Sequence, residues 1–416
     1  MADLAVTRPD SGLPRSSWPA GLTRVPFRMY QDPDLLAREQ AELFAGATWN
    51  FLCLEADLPQ PGDWRTSWVG RMPVVAVRAE DGEICAFENR CAHRGALICL
   101  DDCGHAKDFT CVYHAWRYDL RGNLTSVAFR RGVNGKGGMP ESFQPEAHGP
   151  RRLRTTTICG LVFGTLSAAT VDFETYVGPE VMANIRRIAG RKLEVIGRFT
   201  EVLPNNWKLY AENVRDTYHA SLLHVFFATF RINRLSQGGG VVVSPDGGSH
   251  VSTTLAPTEA TDTAYSGLRS VDDGLRLSDP SLLDYVNEHD DRIQQQILSV
   301  FPSFAMQATQ NVMAVRQFVP RGVSQTDLNW IYLGYADDLP EMRMRRLRQL
   351  NLAGPAGFVS MEDGCIGGFV ERGAATAPGE TSVLEMGGAE AASQPTRATE
   401  ASVRGFWKRW RAVMDI

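Results

Sequence analysis

The chain has 416 residues, of which 44% are hydrophobic and 22% charged, as is ordinary for a globular protein with room for two domains. Its formal net charge of −5 gives no support to a general role on nucleic acid or on a membrane surface, and no apolar run approaches the ~20 residues that span a bilayer. Residues 1–18 lack the apolar core of a secretory signal and the chain carries eight cysteines, so we expect a cytoplasmic, reducing environment.

Residues 1–45 are predicted to form an arm that ends in a short helix at 33–44. From residue 46 the pattern changes to short β-like runs, separated by turns rich in Gly, Pro and Asp. The predicted strands are 49–54, 64–69, 73–78, 84–88, 155–159 and 161–166. Because no helix-length periodic segment interrupts the first of these runs, we predict a small antiparallel β domain over residues 46–168.

Two Cys/His pairs lie inside this domain: Cys91 and His93 as Cys-x-His, and Cys111 and His114 as Cys-x-x-His. Zinc fingers usually supply like ligands from each half, whereas here each half offers one thiolate and one imidazole. That mixture suits a Rieske [2Fe–2S] centre, in which two Cys hold one iron and two His hold the other. A Rieske cluster is therefore the first interpretation, and a zinc-stabilised binding protein is the alternative from a different class.

Residues 169–416 mix helical and strand-like segments and are predicted to form a second domain. The predicted helices are 173–187, 207–215, 342–350 and 400–414, and the predicted strands are 193–203, a hairpin at 238–249, 297–301, 304–310, 312–319 and 328–335. The charges of helix 342–350 are interpreted as a solvated face. The polar residues 256–282 are interpreted as an irregular excursion near the entrance of a site.

A carboxylate and two imidazoles, Asp216, His219 and His224, follow the predicted helix 207–215 closely. Asp216 and His219 are three residues apart and share a helix face, but His224 lies off that face. Both imidazoles can therefore reach one ion only if the helix bulges or ends between them. Two His and one distant carboxylate are the ligand set of non-haem Fe(II) oxygenases. The carboxylate is Asp363 or its neighbour Glu362, and spacing alone does not choose between them.

Taken together, these motifs resemble the large (α) subunit of Rieske non-haem iron ring-hydroxylating oxygenases. The resemblance covers nearly the whole chain and includes the stretches 206–210, 216–224, 233–237 and 354–358. It implies an α+β fold, with an N-terminal antiparallel β Rieske domain and a catalytic domain, 169–416, of antiparallel sheet covered by helices. It also implies two cofactors, a [2Fe–2S] Rieske cluster and a mononuclear Fe(II).

The resemblance further implies roles for individual residues. The two Cys and two His of the first domain hold the cluster, with the thiolates on one iron and the imidazoles on the other. The mononuclear iron is bound by His219, His224 and Asp363, which decides against Glu362.

The implied partners follow from how such oxygenases work. An NAD(P)H-dependent flavin/iron–sulfur reductase supplies electrons, and Asp216 is implied to bridge His114 of one copy to His219 of its neighbour. That bridge requires a trimer of α subunits, either α₃ or, with a small β subunit, α₃β₃.

Two arginines bear on the substrate. Arg316 lies in a run otherwise apolar enough to be a core strand, and a buried Arg facing a pocket requires an anionic ligand. Arg397 lies just before the last helix. Family members that act on terephthalate resemble this chain at both places, which implies dioxygenation of an aromatic carboxylate, with terephthalate first and salicylate, anthranilate or another benzoate as alternatives. Otherwise Arg397 is an exposed tail residue and Arg316 pairs with an internal Asp or Glu.

Overall fold

The structure is a computed structural model that describes residues 18–257, 264–269, 271–272, 274–354 and 359–416. Three sequence predictions fall wholly or partly outside these ranges: the start of the arm, part of the polar excursion 256–282, and most of the shared stretch 354–358. The domain limits 1–45, 46–168 and 169–416 stay predictions. None of the described helices has the length and apolar character needed to cross a bilayer.

The described strands all pair antiparallel. In chain order they are β1 (Arg24–Pro26), β2 (Asn50–Leu54), β3 (Asp63–Val69), β4 (Met72–Arg78), β5 (Ile84–Glu88), β6 (Cys103–His105), β7 (Phe109–Thr110), β8 (Arg117–Tyr118), β9 (Leu124–Ser126), β10 (Arg152–Ile158), β11 (Leu161–Thr165), β12 (Leu193–Leu203), β13 (Gly239–Val243), β14 (Ser249–Leu255), β15 (Ile293–Val300), β16 (Phe304–Thr309), β17 (Val312–Gly322), β18 (Gln325–Tyr335) and β19 (Thr381–Val383). Every strand predicted from the sequence has a counterpart among them.

The described helices follow the same chain order. They are α1 (Pro33–Arg38), α2 (Phe173–Val177), α3 (Pro179–Ala189), α4 (Trp207–Asn213), α5 (Ala220–Leu223), α6 (Val225–Thr229), α7 (Pro340–Ala353), α8 (Ser360–Ala375) and α9 (Ala401–Met414). The helix predicted at 33–44 is continuous, but its second half, Glu39–Phe44, widens into a π-helix. Together with the antiparallel sheets, these helices confirm the predicted α+β fold.

The first sheet has the spatial order β2-β11-β10-β5-β4-β3-β6 and carries a small sheet, β7-β8-β9, beside it. Alternate side chains of β3 and β5, among them Trp64 and Phe87, pack with Phe109 and Trp116 into one apolar cluster. Both motif cysteines are buried in that same cluster. The sheets therefore hold the two Cys/His loops against a rigid apolar base.

The second sheet has the order β12-β18-β17-β16-β15-β14-β13, and its two faces pack against different helices. Because strand side chains alternate, Val315 and Ile331 face the cluster that contains α3, while Arg316 and Trp330 face the side of α4. Arg316 and Trp330 lie directly opposite each other on β17 and β18. This second face is the one that carries the cavity described below.

The charges of α7 are only partly solvated, so that prediction was wrong for one residue. Arg346 is fully buried and donates to the carboxylates of Glu288 (2.5 Å) and Asp338 (2.6 Å). Helical charge spacing does not reveal such a pairing, because Asp338 lies in the turn before α7 and Glu288 comes from a distant loop.

A buried ion pair ties together the start, middle and end of the chain. Glu39, in the π-helix, lies 2.7 Å from the ammonium of Lys208 on α4, and both side chains are almost fully buried. The indoles of Trp207 and Trp410 also donate to Glu39, at 2.8 and 3.0 Å. The last helix is consequently buried on most of its surface.

Glu39→Gln is expected to lower the free energy of unfolding by roughly 3–5 kcal/mol, because it leaves the ammonium of Lys208 buried without a counter-charge. Urea denaturation followed by circular dichroism measures this loss. The control is Glu174→Gln, which breaks an exposed pair with Arg186 and is expected to cost less than about 1 kcal/mol. Equal shifts for the two variants would contradict the prediction.

Candidate metal centres

The two Cys/His loops of the first domain share one backbone design. In each loop the cysteine carbonyl accepts from the N–H four residues later: Gly95 donates to Cys91 (2.9 Å) and Ala115 donates to Cys111 (3.0 Å). Both donors have positive φ, +79° for Gly95 and +52° for Ala115. A chain reversal of this kind brings the cysteine and the following histidine of each motif to one side of the loop.

The thiols point inward and the imidazoles outward. Cys91 and Cys111 are almost fully buried, and burial and then the neighbouring Cys91 thiol raise the pKa of Cys111. The rings of His93 and His114 are exposed, and their centroids lie 4.5 Å apart. Trp116 stacks on His93 at 4.9 Å. Two close thiols and two close imidazoles on adjacent loops fit the donor set of a Rieske [2Fe–2S] cluster.

The second set of donors follows α4, which ends at Asn213. Within α4, the carboxylate of Glu212 accepts from the Tyr30 hydroxyl (2.6 Å) and from the Trp407 indole (2.8 Å). His219 precedes the short helix α5, and His224 ends it with a non-helical ψ of 85°. The helix therefore ends between the two imidazoles, as the five-residue spacing required.

His219, His224 and Asp363 are brought together, and each offers a ligand atom within 4.8 Å of the others. The two Nε2 atoms lie 3.4 and 3.3 Å from the same carboxylate oxygen, Oδ1 of Asp363. The two Nδ1 atoms face outward to other carboxylates, His219 to Asp216 (3.2 Å) and His224 to Glu362 (2.7 Å). The three inner atoms fit a two-His, one-carboxylate iron site, while Asp216 and Glu362 orient the rings from behind.

The electrostatics of this group call for a positive charge at its centre. Burial alone would lower the pKa of His219, but the carboxylates of Asp216 and Asp363 raise it to about 10. Burial would raise the pKa of Asp363, but the two imidazoles hold it well below its usual range. A divalent cation bound between these groups would supply the compensating positive charge.

Sequence reasoning missed several residues around the centre. The amide of Asn213 donates to Oδ1 of Asp363 (3.0 Å), and the hydroxyl of Ser360 donates to Glu201 (3.3 Å). Burial raises the pKa of Glu201 to about 7. Asn213 could have been found from its position within the Glu-Asn-x-x-Asp pattern, but Glu201 is a strand residue with no sequence signal.

A cavity opens beside His219, His224 and Asp363 on the second face of the large sheet, and Arg316 lies in its wall. Arg316 is 4% exposed, and one of its amino groups donates to the hydroxyl of Tyr210 at 2.9 Å. Its guanidinium lies 4.8 Å from the centre of the Trp330 ring. Its Nε and Nη2 have no hydrogen-bond partner, and no carboxylate of the described residues forms an ion pair with it. The expectation of an internal acidic partner is therefore not met.

Arg397 lies in the wall of the same cavity. It is 2% exposed, so it is not a surface residue of the tail. Its guanidinium donates to the side chain of Asn233 and to the carbonyls of Arg234 and Gln237, while its Nε has no partner. Burial lowers the pKa of Arg397 to about 10. Two buried cations thus line one cavity, and no carboxylate of the described residues neutralises either of them.

Comparison with known proteins gives two family matches. Residues 48–134 match the Rieske [2Fe–2S] domain, and residues 182–416 match the catalytic domain of the ring-hydroxylating alpha subunit. The second match alone covers more than half of the chain. Each matched region contains one of the two candidate metal centres.

Individual relatives match along nearly their whole length. The chain is 55% identical to the terephthalate 1,2-dioxygenase terminal oxygenase component subunit alpha 2 of Comamonas sp, over 94% of this chain and 95% of that protein. It is 41% identical to the anthranilate 1,2-dioxygenase large subunit of Burkholderia cepacia, over 94% and 93%. The crystal structure of naphthalene 1,2-dioxygenase from Rhodococcus sp. bound to indole has the same fold, with a TM-score of 0.77 at 21% identity over 94% of both chains.

Proposed function

The chain belongs to the alpha subunits of Rieske ring-hydroxylating oxygenases, and from that premise we propose that it dioxygenates terephthalate. As a member of this family it is the terminal oxygenase of a multicomponent system, with a [2Fe–2S] cluster and a mononuclear iron. The proposed reaction adds both atoms of O₂ to adjacent ring carbons. It consumes one NAD(P)H and one proton and yields a cis-dihydrodiol. The first-named relative, which acts on terephthalate, supports this choice.

In this proposal Cys91 and Cys111 hold one cluster iron, and His93 and His114 hold the other. The cluster, when bound, stores one electron delivered by the reductase. The protein surrounds the cluster asymmetrically. The thiols lie in an apolar core, whereas the imidazoles lie at the surface, where an electron donor or a neighbouring subunit can approach them.

The same proposal gives the mononuclear Fe(II) to His219, His224 and Asp363. The iron, when bound, supplies the position at which O₂ is activated next to the ring. Glu362 and Asp216 hold the two imidazoles with their Nε2 atoms toward the centre: Glu362 is hydrogen-bonded to Nδ1 of His224 (2.7 Å), and the carboxylate of Asp216 lies 3.2 Å from Nδ1 of His219. Ring orientation is thereby set before any ligand arrives.

We further propose that Asp216 bridges His114 of a neighbouring subunit to His219, so that an electron passes from one copy's cluster to the iron site of the next, in an α₃ or α₃β₃ assembly. Two features of the chain support this path. The side chains of Asp216 and His219 contact each other and are 26% and 22% exposed, so this pair connects the proposed iron site to the surface. His114 is exposed on the other domain. A small β subunit and an NAD(P)H-dependent flavin/iron–sulfur reductase complete the proposed system.

The observation that carries the substrate proposal is the pair of buried arginines in a single cavity with the iron ligands. A buried guanidinium without a carboxylate partner is costly, and an incoming carboxylate can satisfy two of its N–H groups at once. Arg316 has the two free donors that such a bond needs. One ring carboxylate is assigned to Arg316 and the other to Arg397, which holds the ring in one register beside the iron.

The direct test is coupled turnover of the complete system with a panel of ring carboxylates. We expect the highest kcat/KM for terephthalate, with O₂ uptake matched one to one by product. Benzoate, salicylate and anthranilate are expected to react more slowly and to consume O₂ without equivalent product. A higher kcat/KM for salicylate or anthranilate would overturn the substrate assignment while leaving the family unchanged.

Arg397→Gln is expected to lower kcat/KM for terephthalate by roughly 30- to 1,000-fold, because one substrate carboxylate is then buried without a cation. Benzoate has no second carboxylate, so its loss should be much smaller. Steady-state kinetics with both substrates measure the ratio. The control is Arg404→Gln, since Arg404 is also buried and donates to backbone carbonyls but does not line the cavity. Equal losses on both substrates with Arg397→Gln would remove the reason for preferring terephthalate.

A further inference from the structure

A hydrogen-bonded chain of neutral side chains runs from Arg397 along the floor of the cavity. The side-chain oxygen of Asn233 accepts from Arg397, and its amide nitrogen donates to the side-chain oxygen of Gln295. The amide nitrogen of Gln295 then donates to the hydroxyl of Thr309 at 3.3 Å. All four side chains line the cavity. The connection therefore lies where the far end of a substrate ring would be.

The direction of this chain is fixed by the arginine. A guanidinium can only donate, so the oxygen of Asn233 must face it and the nitrogen must face Gln295. The oxygen of Gln295 must then face Asn233, which leaves its nitrogen for Thr309. The amides of Asn233 and Gln295 are thus both oriented by the charge of Arg397.

The backbone around Asn233 is held equally firmly. The carbonyls of Arg234 and Gln237 accept from Arg397, so residues 233–237 form a cradle for the guanidinium. The hydroxyl of Tyr265 accepts from the N–H of Leu235 (2.7 Å) and shares a hydrogen bond with Ser221 (2.5 Å) on α5. Because α5 separates the two iron-binding histidines, the cradle and the iron ligands are connected through two side chains.

All acceptors of Arg397 in this cradle are neutral, although a carboxylate at position 233 would fit the same space. We propose that Asn233 is a positioning residue that makes the cavity selective for a dicarboxylate. By holding Arg397 with a neutral oxygen it fixes the direction of the guanidinium and leaves its charge for the second carboxylate of the substrate. This inference rests on the proposed function. It makes Asn233 responsible for the preference for substrates with two ring carboxylates over substrates with one.

The decisive variant is Asn233→Asp, which keeps the shape but gives Arg397 an internal counter-charge. The hydrogen-bonded chain can accommodate it, because the amide of Gln295 can rotate by half a turn, donate to the new carboxylate and accept from the hydroxyl of Thr309. The hydroxyl of Thr254, which donates to the oxygen of Gln295 at 3.4 Å, can then accept from its nitrogen. We expect the terephthalate-to-benzoate ratio of kcat/KM to fall by roughly 20-fold or more, with most of the loss in the KM for terephthalate. A purely structural role would instead lower kcat/KM for both substrates together.

Two further variants complete the test. Asn329→Asp is the matched control, since Asn329 also donates to a glutamine (Gln317, 3.3 Å) and accepts from Thr200 (2.8 Å) in the same sheet, but outside the cavity. It is expected to leave the substrate ratio unchanged. Asn233→Ala removes the oxygen that holds the guanidinium and is expected to lower the terephthalate-to-benzoate ratio as well, which tests the proposal even if Asn233→Asp fails to fold. An unchanged ratio in a folded Asn233→Ala protein would overturn the proposal.

The outcomes separate this inference from the proposed function. If Arg397→Gln abolishes the preference for terephthalate but a folded Asn233→Asp protein keeps it, the role of Asn233 is wrong and the substrate assignment stands. If Arg397→Gln keeps the preference, or the unmodified enzyme does not turn over terephthalate, the proposed function itself fails. The visible spectrum of the cluster, recorded for every variant, confirms that the first domain is intact.

Discussion

Asp363→Asn is expected to abolish product formation while leaving the absorption and EPR spectra of the reduced cluster unchanged. The substitution removes the anionic ligand on which both imidazole Nε2 atoms converge, at 3.3 and 3.4 Å. Weaker iron binding and a lost charge at the reacting centre together should reduce kcat by at least roughly 1,000-fold. The iron content found by metal analysis should fall from about three irons per chain to about two, since only the cluster irons remain.

Glu362→Gln is the matched control for this experiment, because it changes the adjacent carboxylate on the same turn of α8. Glu362 contacts the outer nitrogen of His224 at 2.7 Å, so its loss should weaken iron binding by roughly 10- to 100-fold without abolishing it. Excess Fe(II) should then restore turnover in Glu362→Gln but not in Asp363→Asn. The opposite pattern would show that Glu362, not Asp363, is the ligand.

Asp216→Asn is expected to stop electron transfer to the iron site while both metal centres remain loaded. Its carboxylate contacts the outer nitrogen of His219 at 3.2 Å and also reaches the surface, and an amide can provide neither the charge nor the same proton acceptor. We expect kcat to fall by at least roughly 100-fold. Stopped-flow spectroscopy should show a chemically reduced cluster that stays reduced in the presence of O₂ and terephthalate.

The control for Asp216 is Asp246→Asn. Both aspartates accept from the backbone N–H two residues later: Asp216 from Tyr218 at 2.7 Å and Asp246 from Gly248 at 2.9 Å. Among the described residues, Asp246 has no proposed metal ligand beside it. It is expected to leave cluster reoxidation unchanged. Fast reoxidation of the cluster in the Asp216→Asn variant would contradict the proposed electron-transfer route through Asp216.

Mixed assemblies test whether that route crosses between copies. Cys91→Ser removes a cluster ligand but leaves the iron site intact, whereas Asp216→Asn leaves the cluster intact but isolates the iron site of its own chain. Assemblies reconstituted from both variants should regain turnover, since the cluster of one copy can serve the iron of the next. Mixtures as inactive as the separate variants would place the route within a single chain.

The candidate metal centres could be located from the sequence because most of their proposed ligands come in short motifs. A Cys and a His two or three residues apart must lie on one loop, and the five residues from His219 to His224 required the helix to end, as it does at His224. Asp363 and Glu362 could not be separated in this way. Adjacent residues of a helix point about 100° apart, and only the packing of α8 against the rest of the fold decides which one faces the imidazoles.

The residues around Arg397 could not be predicted from the sequence, for a related reason. Asn233, Gln295 and Thr309 lie far apart in the chain, and they meet only because strands bring them to one cavity floor. No local pattern marks Tyr265 as a partner of α5. The burial of Arg346 was missed because its partners lie outside α7, Glu288 in a distant loop and Asp338 in the turn before the helix.

The buried position of α9 has a consequence for how the protein is made. The first sheet is complete at Thr165, so every strand around the Cys/His loops is translated before the catalytic half begins. Ser402 and Trp407 hold Arg215 and Glu212, just before His219, and they are translated 187 and 195 residues after these partners. A nascent chain therefore has all strands of its first sheet long before it has the side chains that fix the second set of donors.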